Sequence, residues 1–193
     1  QCVYPDRKTS LRMALGMPLR LALGTGGFLP HGVFALLAVI EIIAFRHGPV
    51  TGGLTVAVVT LIATISLNFA IRARLERPAA TWTVAGLFGL ILGLTPLGLR
   101  SALAGALPWL GDLLAVALGN AVLGSLTLGV FLLVLILTGL EHQQGFAALG
   151  HPGFRHFVRL CVHPGGKVEG FVIGKDDPIG EGAPALIDRF VWD

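Results

Sequence analysis

Charge is scarce in this chain. Only 13% of its 193 residues are Asp, Glu, Lys or Arg, while 54% are hydrophobic. A soluble domain carries roughly 25% charged residues, and half that density cannot coat a water-exposed surface of this size. That excludes a cytosolic globule and a disordered chain. Cysteine is nearly absent. Cys2 and Cys161 cannot make a disulfide framework, and no CxxC or Cys/His cluster points to zinc. Histidine is missing from the middle of the long apolar runs, which excludes facing haem-ligand pairs. No GxSxG, P-loop, HExxH or GxGxxG pattern occurs. No catalytic, cofactor-binding or metal-binding residue is therefore expected. A signal-peptide pattern is missing too, and the first residue is Gln1. The expectation is a processed N-terminus or the C-terminal part of a longer polypeptide.

What is there is apolar and segmental. Mean hydropathy is +0.79. Residues 1–140 hold nine basic and four acidic side chains, and residues 141–193 hold five and seven. An apolar membrane body is thus followed by a polar tail. The body's positive excess suits anionic lipid head groups. It is too dispersed for nucleic acid, which needs a dense basic face.

Charge-free windows locate the spans, because a crossing helix needs roughly 20 apolar residues. His47 to Ile71, Pro78 to Leu99 and Leu113 to Leu140 are free of Asp, Glu, Lys and Arg for 25, 22 and 28 residues. Leu21 to Ile40 is free for 20, before Glu41 interrupts. Four helices are predicted near 29–46, 53–72, 80–99 and 115–139, making a mainly α membrane protein with a four-helix region over 21–140. Ser101 to Gly111, with Pro108 and Trp109, is too short to cross and is predicted as an interfacial or re-entrant loop within 100–112. Arg7, Lys8, Arg12 and Arg20 precede the first helix, and Arg72, Arg74 and Arg77 follow the second; the other two loops hold only Arg46 and Arg100. By the positive-inside rule both chain ends are expected to be cytoplasmic. Residues 1–20 form a juxtamembrane amphipathic segment, with Leu11, Leu15 and Leu19 on one side of a surface helix that Pro18 ends or bends.

Several side chains stand out. Ala117, Ala121, Ser125 and Gly129 recur every four residues, and Gly89 and Gly93 make a GxxxG pair. Both patterns let another backbone approach, from within the bundle or from another protein. Glu41 is the candidate intramembrane polar residue. It either serves a function or sits at the interface, snorkelling or pairing with Arg46. His151, His156 and His163 share the tail, where local hydrogen bonding is expected over metal binding. Asp176-Asp177-Pro178 is read as a turn.

The tail, 141–193, reads as a small β unit. His156 to His163 and Lys167 to Lys175 are rich in β-formers and flank Pro164-Gly165-Gly166, which predicts a hairpin with a three-residue loop. Ala185 to Trp192 is a third short strand. Three strands without a covering layer are marginal alone, so the tail needs something to pack against.

Two stretches carry a resemblance. One is Tyr4-Pro5-Asp6-Arg7-Lys8-Thr9-Ser10-Leu11-Arg12. The other runs from Gly145-Phe146-Ala147-Ala148-Leu149 through Gly153-Phe154-Arg155-His156-Phe157-Val158-Arg159-Leu160 to the Val-Glu-Gly-Phe-Val-Ile-Gly hairpin strand. Together they resemble the C-terminal half of bacterial membrane-bound calcineurin-like metallophosphoesterases. In that family a phosphoesterase domain precedes a Tyr-Pro linker, several membrane helices and a Phe-x-x-Phe-[Leu/Val]-Arg-[Leu/Met] strand. The match covers about 40 residues at the two edges. The ending Ile187-Asp188-Arg189-Phe190-Val191-Trp192 departs from much of the family. The metal signatures Asp-x-His, Gly-Asp-x-x-Asp, Gly-Asn-His-[Asp/Glu] and Gly-His-x-His are absent, so no catalytic residue carries over. The resemblance implies a membrane anchor whose tail completes a catalytic domain outside this chain. The alternatives are an accessory or assembly subunit of a respiratory or photosynthetic complex, and a small transporter using Glu41. Expected partners are the lipid bilayer and a protein domain on the tail.

Overall fold

A computed structural model describes residues 7–25, 27–103, 108–140, 155–175 and 180–192. They form five α-helices, a single 3-10 turn and one three-stranded sheet. The chain divides into two compact units, Ala14–Leu149, and Gln1–Met13 with Gly150–Asp193.

Helix α1 spans Arg7–Ala22, α2 Leu29–His47, α3 Pro49–Ala70, α4 Pro78–Leu103 and α5 Trp109–Thr138. Helices α2 to α5 are each long and apolar enough to cross a membrane. In hydrocarbon every backbone N–H and C=O must be satisfied within the protein, which favours unbroken helices joined by short turns. The connections follow that rule. Gly48, at φ 145°, and Pro49 at the start of α3 turn the chain between α2 and α3 in a single residue. Gly139 closes α5 in the left-handed region, its N–H donating to Ile136 and that of Leu140 to Leu135.

The four spans form a ring in which α2 touches α3, α3 touches α4, α4 touches α5 and α5 returns to α2. Gly89 and Gly93 lie on α4 where Thr64 and Thr60 of α3 press against the glycine backbone. Phe88 and Phe131 meet edge-on between α4 and α5, with centroids 5.4 Å apart. The Ala73 N–H donates to the Leu140 carbonyl at 3.2 Å, so the arginine-rich connection and the exit of α5 share one end of the bundle. Outward-facing side chains such as Leu54, Val58, Leu61 and Phe69 remain exposed. A continuous apolar belt of that size has lipid, not water, as its natural solvent.

Two expectations are corrected. Most of the 100–112 segment is helix: α4 runs on to Leu103 and α5 begins at Trp109. Residues 104–107 lie outside the described residues. Pro108 has φ −57° and ψ 155°, an extended backbone directly before the first turn of α5. Pro18 does not end α1, which continues to Ala22. A proline inside a helix removes one hydrogen bond, and the buried Ala14, Met17 and Leu21 hold the turns on both sides of it. Leu11, Leu15 and Leu19 are exposed, so it is the small and flexible side chains of α1 that pack inward.

The sheet has the order β1-β2-β3, with β1 Arg155–Val162, β2 Val168–Lys175 and β3 Ala185–Trp192, all antiparallel. The hairpin turn is closed by the His163 N–H donating to the Lys167 carbonyl at 2.8 Å. Gly165 and Gly166 both have positive φ, 106° and 90°, which a side chain would resist.

Gly89→Ala forces a methyl against the Thr64 backbone, whereas Gly86 of the same helix has nothing within 4 Å. Gly89→Ala is expected to destabilise the bundle by about 1–3 kcal/mol, and Gly86→Ala to leave it unchanged. Thermal unfolding of the two variants in detergent checks this.

Candidate functional site: buried polar groups and the tail sheet

Helix α2 buries Phe34, Ala38, Glu41, Ile42 and Ala44. Glu41 therefore projects from the packed face, not the lipid face, and is only 1% exposed. It lies six residues before the helix end at His47, about 9 Å along the axis. Neither carboxylate oxygen has a hydrogen-bond partner among the described residues. Pairing with Arg46 is not made. The Arg46 guanidinium stacks over the Trp109 ring at 4.3 Å, and Arg100 stacks over Phe45 at 5.7 Å. Of the expected alternatives for Glu41, the ion pair with Arg46 is not formed: the arginines at this end lie over aromatic faces.

Other polar side chains of the bundle divide into two classes. Thr55, Thr83, Thr95, Thr127 and Thr138 each donate to the carbonyl four residues back in their own helix. Such a hydroxyl is satisfied locally and can face lipid. Asn120 is different. It is 1% exposed and donates through Nδ2 to the Phe34 carbonyl at 2.7 Å, tying α5 to α2. Its Oδ1 is unpartnered, as is Oγ of the fully buried Ser125. Sequence reading passed over Asn120; an amide within an otherwise apolar 28-residue window was the available signal.

On α5, Ala117 and Ala121 are 7% exposed and Gly129 is buried. The Gly129 backbone lies so near Pro18 that an added methyl would stand 2.5 Å from its Cα. At that point the small-residue stripe receives the chain's own α1.

The tail sheet has two faces. The register puts Arg159, Phe171 and Arg189 on one, together with Cys161, Glu169 and Val191. Glu169 accepts from Arg189 at 3.0 Å and lies 3.4 Å from His163. Val158, Leu160 and Val162 share the opposite face with Val172, Phe190 and Trp192. Four of these six, Val158, Leu160, Val162 and Trp192, are exposed. Phe190 lies over Gly170, where no side chain would fit, and stacks on Trp192 with ring centroids 4.9 Å apart. Strands β1 and β3 each leave an edge unpaired among the described residues. An unpaired strand edge is a surface on which a further strand can add.

Among the described residues, no group of three His, Cys, Asp or Glu is placed to hold a metal ion. His151, Asp176 and Asp177 lie outside the described residues, as do Tyr4-Pro5-Asp6 and Gly145 to Phe154. Comparison with family models, with curated proteins and with solved structures finds no match.

The Arg189 hydrogen bond and charge hold the Glu169 carboxyl below its ordinary value of 4.5, with His163 adding to the effect. A carboxyl depressed in the folded state stabilises fully above the unfolded value and loses that contribution as pH falls through the folded one. These contacts should therefore add to the sheet's amide-exchange protection above about pH 4.5 and lose that modest contribution as pH falls below it. Glu169→Gln should flatten this dependence, as hydrogen exchange resolved by mass spectrometry would show.

Proposed function

We propose that this chain is the membrane anchor of a metallophosphoesterase-like protein and that its tail sheet completes a catalytic domain lying outside the chain. The observation that carries this reading is the tail sheet's uncovered apolar face. Val158, Leu160, Val162 and Trp192 are exposed there, beside two open strand edges. Three strands with such a face in water are marginal alone, and an exposed apolar patch of this kind favours a covering layer. Two of these residues, Val158 and Leu160, belong to the stretch that carries the resemblance. Phe157-Val158-Arg159-Leu160 is the centre of β1, and Gly170-Phe171-Val172-Ile173-Gly174 is the centre of β2. The four apolar helices make the chain a multi-pass membrane protein, and the anchor role asks nothing further of them.

In the proposed topology both ends are cytoplasmic, in a bacterial inner membrane. Support comes from the loop arginines: Arg72, Arg74 and Arg77 lie in the connection whose Ala73 bonds Leu140, where α5 leaves for the tail.

The coding frame upstream of Gln1 should contain a Gly-Asn-His-[Asp/Glu] motif. A start codon next to Gln1 would defeat the anchor reading. Topology is tested through Cys161, which is exposed on β1. With Cys2 replaced by serine, a membrane-impermeant maleimide should label Cys161 in lysed cells and leave it untouched in intact spheroplasts. Labelling of intact spheroplasts would reverse the orientation.

A further inference from the structure

The tail sheet carries a groove on the face opposite Val158, Leu160, Val162 and Trp192. The register pairs Arg159 with Phe171 and Ile173 with Leu186. An irregularity in the β2–β3 pairing, between Val172 and Ile173, puts Leu186 and not Ile187 opposite Ile173. Bulges commonly re-aim a side chain in this way. Arg159, Cys161, Phe171, Ile173, Pro184 and Leu186 line a volume of about 470 Å³. Small-molecule sites run from roughly 300 to 1,000 Å³. Phe171 and Ile173 are half-buried and make the floor, while Arg159, Cys161 and Leu186 are exposed. Because the groove lies on the other face of the sheet, it does not depend on the covering layer proposed above.

The lining fixes the chemistry of what can fill it. Phe171, Ile173, Pro184 and Leu186 are apolar, and the polar members are one guanidinium and one thiol. Glu169 shares this face, but Arg189 and His163 engage it at 3.0 and 3.4 Å. Arg159 is left without an acidic partner among the described residues. A cation beside an apolar floor calls for an anion with an apolar body. One guanidinium balances one negative charge, and its planar fork matches a carboxylate through two parallel N–H···O bonds. The volume suits one alkyl chain better than the two of a membrane phospholipid.

We propose that this groove binds a single-chain fatty carboxylate, with the carboxylate on Arg159 and the alkyl chain along Phe171, Ile173, Pro184 and Leu186. The four apolar spans tether the sheet to a bilayer, into which such amphiphiles partition. Binding is non-covalent. Cys161 lines the same groove, so its thiol is shielded whenever the groove is filled.

The test uses the full chain, with Cys2→Ser, in phosphatidylcholine nanodiscs. It reads the rate at which N-ethylmaleimide, which is uncharged, modifies Cys161. Dodecanoate at ten times its dissociation constant should slow that rate about tenfold, because only the empty groove reacts. Dodecanol has the chain without the charge, and acetate the charge without the chain; both should leave the rate nearly unchanged. Phosphatidylglycerol added to the discs should leave it unchanged as well. Arg159→Gln should keep the basal rate and weaken protection by dodecanoate about tenfold, the loss of a charge-assisted bond. If Arg159→Gln does not fold, the contrast between dodecanoate and dodecanol decides alone. No slowing by dodecanoate overturns the proposal. So does equal slowing by dodecanol, acetate or phosphatidylglycerol, or full protection in a folded Arg159→Gln. Protection already present without amphiphile, and lost in discs holding one chain, gives the groove to a second copy and also overturns it.

Discussion

Hydrocarbon offers no hydrogen bonds, and that constraint runs through the membrane unit. It makes the spans helical, keeps their connections short and sends outward-facing hydroxyls back to their own backbone. It also sets what holds the helices together. Apolar side chains gain nothing by leaving lipid for one another, so contact depends on close packing and on the few polar links that form. Gly89 and Gly93 admit the α3 backbone at Thr64 and Thr60, and Gly129 admits α1 at Pro18. The Asn120 amide on the Phe34 carbonyl is the polar link between α2 and α5.

The same constraint makes Glu41 unusual. An arginine one turn away would be the cheap partner for a buried carboxyl, yet Arg46 lies flat on Trp109. Aromatic faces at the bundle end compete for both nearby guanidinium groups.

The tail sheet belongs to a different solvent and follows different rules. Its turn and register come from glycines at positive φ and from alternating side chains. One face mixes Arg159, Glu169 and Arg189 with Phe171, Ile173 and Val191, and is tied by Glu169 between Arg189 and His163. The other is apolar, with Phe190 filling the space that Gly170 leaves empty. In the proposed reading, a domain outside the chain supplies the layer that covers this face.

Number of spans, hairpin and third strand were legible in the sequence because each rests on a local pattern. Runs without charge mark the spans, and Pro164-Gly165-Gly166 between β-rich runs marks the hairpin. Helix ends were less legible. Proline at 18 and the 101–111 run suggested breaks, but packing and the demand for backbone bonds in lipid carried the helices further. Which face of each helix turns inward was decided by tertiary structure alone. Spacing could place Ala117 to Gly129 in one stripe without saying that Pro18 would meet Gly129. It could flag Glu41 without saying that Arg46 would choose Trp109. Those outcomes depend on partners far apart in the chain, competing for the same groups in three dimensions.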